Sequence, residues 1–377
     1  MIPPDLLHPE PRRRLDTRAL DQTLVFAFAS GGHRDALDRI ALRGELEPSL
    51  FSPDCFAKDL FLADFVTRCT GFAIEGRRYQ PQAARLARLL SHPPADPQVS
   101  AFRQEILREL FASTDLHSAL QRSFVRLREV FSLLESADSG KHFDPVARRL
   151  EILRAVLRAI DELCDGFSAA RSGLQRISAY ASRLRSSAAY ENLRQLLDHE
   201  GHLATVQVRL TLAYDGQLRG FEIVRAEENV ENRFYVSPIG RLLTRLRLLF
   251  RGYHVRHSEV LGRLINGVFD GVSPFVADAV ELLGALEFYL AALGFAELAR
   301  AQGLEVCLPE FEPPEAARDP ASELDGLFNP FLLLEDRPPV PCDIRIAGAG
   351  FVIVTGPNSG GKTRLLQAMG LAQLLAQ

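Results

Sequence analysis

From Phe102 onward, apolar residues recur three or four positions apart: Ile106 and Leu110, then Leu116, Leu120, Phe124, Leu127, Phe131 and Leu134. That spacing lines one helix face and predicts two helical stretches, with Ser113, Thr114 and Asp115 offering an N-cap between them. Asp144 and Pro145 make a cap and first-turn pair for a helix running towards Gly166, and further helix is predicted to about His199. Between 205 and 225 the period changes. Val206, Val208, Leu210, Leu212 and Tyr214 alternate with Gln207, Arg209, Thr211 and Ala213, Asp215-Gly216 is a turn signal, and Phe221 to Val224 can return: a β-hairpin within a helical region.

Helix is predicted again around Pro238, and a last long helix from about Pro274, stopped by Gly303. The acidic, proline-rich passage from Pro309 to Pro320, with Glu310, Glu312, Glu315 and Asp319, precludes regular helix and marks a boundary. Beyond it the apolar runs shorten, and Phe331 to Leu334, Asp343 to Ile346 and Phe351 to Val354 read as strands. The resulting division is a segment of unassigned fold at 1–100, a helical region at 101–308, a linker at 309–322 and an α/β region at 323–377.

The last region carries the chemistry. Gly356-Pro357-Asn358-Ser359-Gly360-Gly361-Lys362-Thr363 satisfies G-x-x-x-x-G-K-[ST] between a strand-like run and a helical pattern. In such a loop, glycines let backbone N–H groups converge on phosphate oxygens, and the positive end of the following helix faces the same anion. Lys362 would reach the β- and γ-phosphates of ATP, and the Thr363 hydroxyl would be a ligand of Mg²⁺.

Composition adds little for or against a nucleic-acid partner. The net charge of -4 requires any DNA-binding surface to be local. One such segment exists: Arg241, Arg245, Arg247, Arg251 and Arg256 lie between Val236 and His257 without an acidic residue. Spacings of four put Arg241 with Arg245, and Arg247 with Arg251, on shared helix faces suited to phosphates or simply to solvent. Cys55, Cys69, Cys164, Cys307 and Cys342 form no C-x-x-C pair, which suits a reduced, cytoplasmic setting. The N-terminus lacks an apolar signal-peptide core, and Asp278, Glu281, Glu287 and Glu297 interrupt the apolar stretch Phe275 to Ala299, so it reads as a buried helix and no membrane partner is expected. The histidines and carboxylates form no metal or acid/base spacing, and no catalytic residue is assigned.

Val354-Thr355-Gly356-Pro357-Asn358-Ser359-Gly360-Gly361-Lys362-Thr363 resembles the T-G-P-N-x-G-G-K-[ST] phosphate loop of MutS proteins, and its continuation Gly370 to Gln377 is closest to the MutS2 branch. Asn329-Pro330 stands where that family usually has His-Pro, and Val340-Pro341-Cys342-Asp343-Ile344 resembles its V-P-N-D-I segment. Arg103 to Leu110 looks like the opening of the MutS core domain, and Leu286 to Glu297 is similar to the helix that enters the ATPase domain. The resemblance covers roughly residues 100 to 377. It implies a mainly α, multidomain chain: a helical core and lever with the hairpin as an insertion, then the first part of an α/β P-loop ATPase domain of ABC type.

It further implies ATP and Mg²⁺ as cofactors, mismatched or branched duplex DNA as partner, and a homodimer in the full-length family context, with ATP governing a DNA clamp. A MutS2-like factor on branched DNA or ribosomes, an SMC-type or transporter ATPase, and a non-catalytic scaffold are the competing readings. The hairpin is then a vestige of the DNA clamp or an ornament on the core. Pro339 lies where mismatch-binding members carry an aromatic residue that stacks on adenine, and the chain has no F-x-E triplet. It ends within the helix after the loop, before a segment that could supply an Asp-Glu pair or an ABC signature. The expectation is weak nucleotide binding, no hydrolysis by the isolated chain, and association through residues 351 to 377.

Overall fold

The structure is a computed structural model, and it describes residues 2–46, 48–49, 53–136, 145–202, 205–212, 218–227, 257–311, 321–335, 338–347, 352–358 and 360–377. Most of these are helical. The five arginines between 241 and 256, the Asp215-Gly216 turn, the helix predicted from Pro238 and most of the acidic proline-rich passage lie outside the described residues.

The first hundred residues, which have no clear period, fold as α1 (Thr17–Ser30), α2 (Arg34–Leu42), α3 (Pro53–Asp59), α4 (Leu62–Cys69), a hairpin of β1 (Phe72–Ile74) and β2 (Arg77–Tyr79), and α5 (Ala83–Leu90). Asp16 caps α1 by accepting from the N–H groups of Arg18 and Ala19. The apolar stripe of α1 is blurred because Val25 and Phe26 face outward. The β1–β2 turn places Glu75 and Gly76 at φ 49° and 77°, the left-handed pair that a two-residue hairpin needs.

The helical centre is α6 (Pro97–Ala112), α7 (Thr114–Glu135), α8 (Pro145–Gly166), α9 (Gln175–Arg185), α10 (Ala188–His202) and α11 (His257–Ala301). Ser113 caps α7 as its sequence predicts, accepting from Leu116 N–H. The helix expected to reach His199 is two helices, broken where Ser187 accepts from Tyr190 N–H to start a new turn. The long last helix begins at His257, not at Pro274, which lies inside it. Pro274 has no N–H for the Asp270 carbonyl; the Ser273 hydroxyl donates to that oxygen instead, at 3.1 Å. Gly303, at φ 74°, ends the run, as predicted.

One core joins residues on both sides of position 100: Leu6, Leu20, Leu24 and Phe28 share it with Leu120, Phe124, Leu153, Val156, Phe269 and Leu286. Arg148, itself buried, donates to the carbonyls of Ala27, Phe28, Leu133 and Leu134, and so closes the C-terminal ends of α1 and α7 together. Within α11, Leu264–Ala301 contains a window long and apolar enough to cross a membrane, and 72% of that window is buried inside the fold. Three carboxylates of α11 are engaged: Asp278 with Arg13 and Tyr180, Glu281 with the Arg14 and Leu15 N–H groups, and Glu287 with Gln82 N–H.

The predicted hairpin is present as β3 (Thr205–Leu212) paired antiparallel with β4 (Leu218–Glu227). After α11 come β5 (Ala321–Leu327), a 3-10 helix (Pro330–Leu334), β6 (Cys342–Ala347) and α12 (Lys362–Leu375). β6 contains the strand predicted at Asp343 to Ile346 and pairs antiparallel with β5. Two strand expectations fail. Pro330 to Leu334 coils because Asn329 caps it and Pro330 presets its first turn, and Val352 to Val354 are extended without ladder partners among the described residues.

Candidate phosphate-binding site

Gly356 to Thr363 precedes and opens α12. Gly361 is the N-cap residue at φ 81°, a left-handed conformation that lets the chain turn sharply into the helix. At Gly360 an added Cβ would lie 3.0 Å from the Pro357 carbonyl oxygen, which itself accepts from Gly360 N–H at 3.1 Å. The glycines therefore close a tight turn, while Gly356, Pro357, Asn358 and Gly360 stay exposed; Ser359 lies outside the described residues.

Lys362, the first residue of α12, folds back over this turn. Its Nζ donates to the carbonyls of Gly356 and Pro357, each at 2.7 Å. No acidic residue occupies the first turn of α12 and no side chain caps it, so the positive end of the helix and the ammonium face solvent together. Thr363 is exposed in that turn. Chemically the arrangement offers N–H donors, a cation and a hydroxyl to a phosphate-bearing ligand. No group of three or more His, Cys, Asp or Glu suited to a metal ion occurs among the described residues.

The residues that hold α12 are ones sequence reasoning did not single out for this role. Asn329 Nδ2 donates to Arg364 O at 2.8 Å and to Gln367 Oε1 at 3.0 Å, while its Oδ1 accepts from Phe331 N–H. At the other end, Arg103 donates to Gln377 O and Gln104 to Ala376 O, placing a cation from α6 at the negative terminus of α12. Leu371 and Leu374 bury against Leu62, Phe65, Val66, Leu86 and Phe331. Gly370 admits Leu60: an added Cβ would sit 2.7 Å from its Cδ2. The Asn-Pro pair carries a readable cap signal; Gln367 and Gln104 carry none.

Cys69 lies against the same 3-10 helix, its Sγ donating to Pro330 O. Burial pushes its thiol up to about 11, with Arg68 pulling the other way, so it is a packing residue and not a nucleophile. The predicted arginine contacts, Arg241 to Arg256, lie outside the described residues.

No protein-family profile matches the chain. Among curated proteins it is similar to Endonuclease MutS2 of Streptococcus thermophilus, 26% identical over 267 residues that cover 69% of this chain and 30% of the relative. Endonuclease MutS2 of Geobacillus kaustophilus is 25% identical over 296 residues, covering 74% and 33%. That of Symbiobacterium thermophilum is 31% identical over 174 residues, covering 45% and 20%. The chain thus spans a third or less of the length of these relatives. Several MutS2 proteins from different bacteria match in this way, and the chain is similar to the MutS/MutS2 family over these stretches.

Proposed function

We propose that this chain is the helical core and the nucleotide-binding start of a MutS2-like, DNA-acting ATPase. In this reading residues 101–308 are the core and lever, 309–322 the linker, and 323–377 the opening of an ABC-type P-loop domain. ATP binds through Gly356, Pro357, Asn358, Ser359, Gly360, Gly361 and Lys362, with Thr363 a ligand of Mg²⁺.

The observation that carries the reading is the position of Lys362. Its ammonium already sits on two carbonyls of the glycine turn, at the uncapped N-terminus of α12. A triphosphate arriving there meets a concentrated positive field and offers Nζ charged oxygens in place of neutral carbonyls.

DNA is the proposed macromolecular partner, through Arg241, Arg245, Arg247, Arg251 and Arg256, with homodimerisation around ATP in the whole protein and a cytoplasmic setting. Mismatched duplex on the one hand, and branched DNA or ribosomes on the other, are the two target classes of this reading, and binding assays with each separate them. The nuclease activity in that name is assigned to none of the described residues.

Calorimetry with Mg-ATP tests the central claim. The parent chain is expected to bind and Lys362→Ala to lose binding; equal affinity in both removes the assignment.

A further inference from the structure

The described side chains of the first turn of α12 have little packing to hold them. Thr363, Arg364 and Leu366 are exposed, and full burial begins at Gln367. The direction of this turn decides where its free N–H groups and Lys362 point, so whatever fixes it also fixes the phosphate cradle.

Asn329 supplies such a fixture. The residue is 5% exposed, and three of its hydrogen bonds are accounted for. Its oxygen caps the 3-10 helix Pro330–Leu334, and its amide group donates to Arg364 O and to Gln367 Oε1. Gln367 Oε1 accepts from Arg364 Nη1 as well, which closes the network over the first turn. The 3-10 helix is itself fixed to α4: Phe331 packs edge-on against Phe65, and Arg68 lies over the Phe331 ring. A chain of contacts thus runs from α4 through Phe331 and Asn329 to the backbone immediately after Thr363.

We propose that Asn329 is a positioning residue for the phosphate loop: its amide, shared between the Arg364 carbonyl and Gln367, sets the orientation of the α12 N-terminus and thereby the affinity for the nucleotide phosphates. This rests on the nucleotide-binding reading above. The amide acts through the helix and touches no ligand.

The test exploits a difference between two functions of one side chain. Aspartate caps a helix as well as asparagine does, but an ionised carboxylate cannot donate to a carbonyl. Asn329→Asp therefore keeps the cap and loses the tether. Calorimetry with Mg-ATP on the full chain should show about tenfold weaker binding, the order expected from one lost oriented hydrogen bond, at a Tm within a few degrees of the parent. Binding at parental affinity would make Asn329 a cap only and overturn the inference. Should Asn329→Asp fail to fold, Gln367→Leu removes the second acceptor with the cap untouched. It should weaken binding in the same direction, and unchanged affinity there overturns the inference as well. A parent chain that binds no Mg-ATP removes the nucleotide reading itself and this inference with it, a result distinct from a parent that binds and a variant that does not differ.

Discussion

The Tyr180 hydroxyl donates to Asp278 Oδ2 at 2.7 Å, tying α9 to the middle of α11 in the interior of the fold. Arg13, from the segment before α1, reaches the other oxygen of the same carboxylate. One side chain thus joins three parts of the chain separated by 98 and 265 positions. Burial raises the Asp278 carboxyl above the ordinary aspartate range, against the pull of Tyr180 and Arg13, and the same carboxylate helps push the Tyr180 hydroxyl up.

Asp278→Ala leaves a buried tyrosine hydroxyl without its acceptor, so unfolding free energy should drop by about 2–3 kcal/mol. Arg13 is 37% exposed and regains water, so its share of that loss is small. Asp278→Asn keeps an acceptor of the same size and removes a charge that burial disfavours. Urea unfolding should therefore place it much closer to the parent. Equal losses in the two variants would show that the charge, and not the hydrogen bond, is what α11 needs.

Glu281 gives a pH dependence. Burial raises its carboxyl above 4.5; the Arg14 and Leu15 N–H groups oppose this, while Asp5 and Asp278 add to it. With the folded value above the unfolded one, the folded state binds more protons in the interval above 4.5, so stability falls as pH rises through it. Asp278, Glu287, Asp270 and Glu135 are raised by burial too and act with the same sign. Asp5, Glu109 and Glu191 are lowered and act below their ordinary values of 3.8 and 4.5. Urea midpoints of the parent should fall as pH rises above the ordinary glutamate value of 4.5. Glu281→Gln, which keeps the acceptor for both N–H groups, should flatten that fall; an unchanged slope would refute the assignment.

Much of the helical centre was legible in its spacing, because α7 shows water a polar face and buries Leu116, Leu120, Phe124, Leu127, Phe131 and Leu134 on the other. Where a helix is buried on several sides, as in α11, the apolar residues no longer mark a face. Proline then looks like a start signal, and only the Ser273 to Asp270 bond reveals how Pro274 is tolerated inside the helix. The glycine turn that opens α12 was legible as a motif because glycine and lysine at fixed offsets have a direct physical use. Its support was not. Asn329 and Gln367 meet across 38 positions, and Gln104 meets Ala376 across 272, distances at which no local pattern speaks.

Two glycines of α11 should respond in opposite directions to alanine. At Gly294 an added Cβ would fall 2.5 Å from the Gly71 carbonyl oxygen and 3.1 Å from Phe72 Cα, so backbone must move where α11 meets β1. The overpacking cost of about 1–3 kcal/mol should outweigh the helix preference for alanine, worth about 1 kcal/mol. At Gly271 the added methyl meets Ala189 Cβ at 3.5 Å, an ordinary contact, and the preference acts alone. Thermal denaturation should show a lowered Tm for Gly294→Ala and a raised one for Gly271→Ala. A raised Tm for both would mean that α11 can draw away from β1 at little cost.

The C-terminal stretch leaves apolar side chains in water: Val340 is 88% exposed, Ile353 74%, Leu366 58% and Val352 52%. Among the described residues β5 and β6 pair only with each other, so each presents an unpaired edge. Two strands alone are marginal, and such edges with apolar neighbours favour pairing with a second copy. The chain should therefore self-associate with rising concentration in sedimentation velocity runs, and Val340→Lys with Ile353→Lys should reduce that association. Salt separates this mechanism from an arginine-driven one: charge-mediated contacts weaken as the Debye length falls to about 3 Å at 1 M salt, whereas burial of apolar surface does not. Association that persists in high salt and yields to the two lysines places the contact on this stretch. A parent chain that stays monomeric throughout, or association abolished by salt and indifferent to the lysines, would show that Val340 and Ile353 are not the surface through which it occurs.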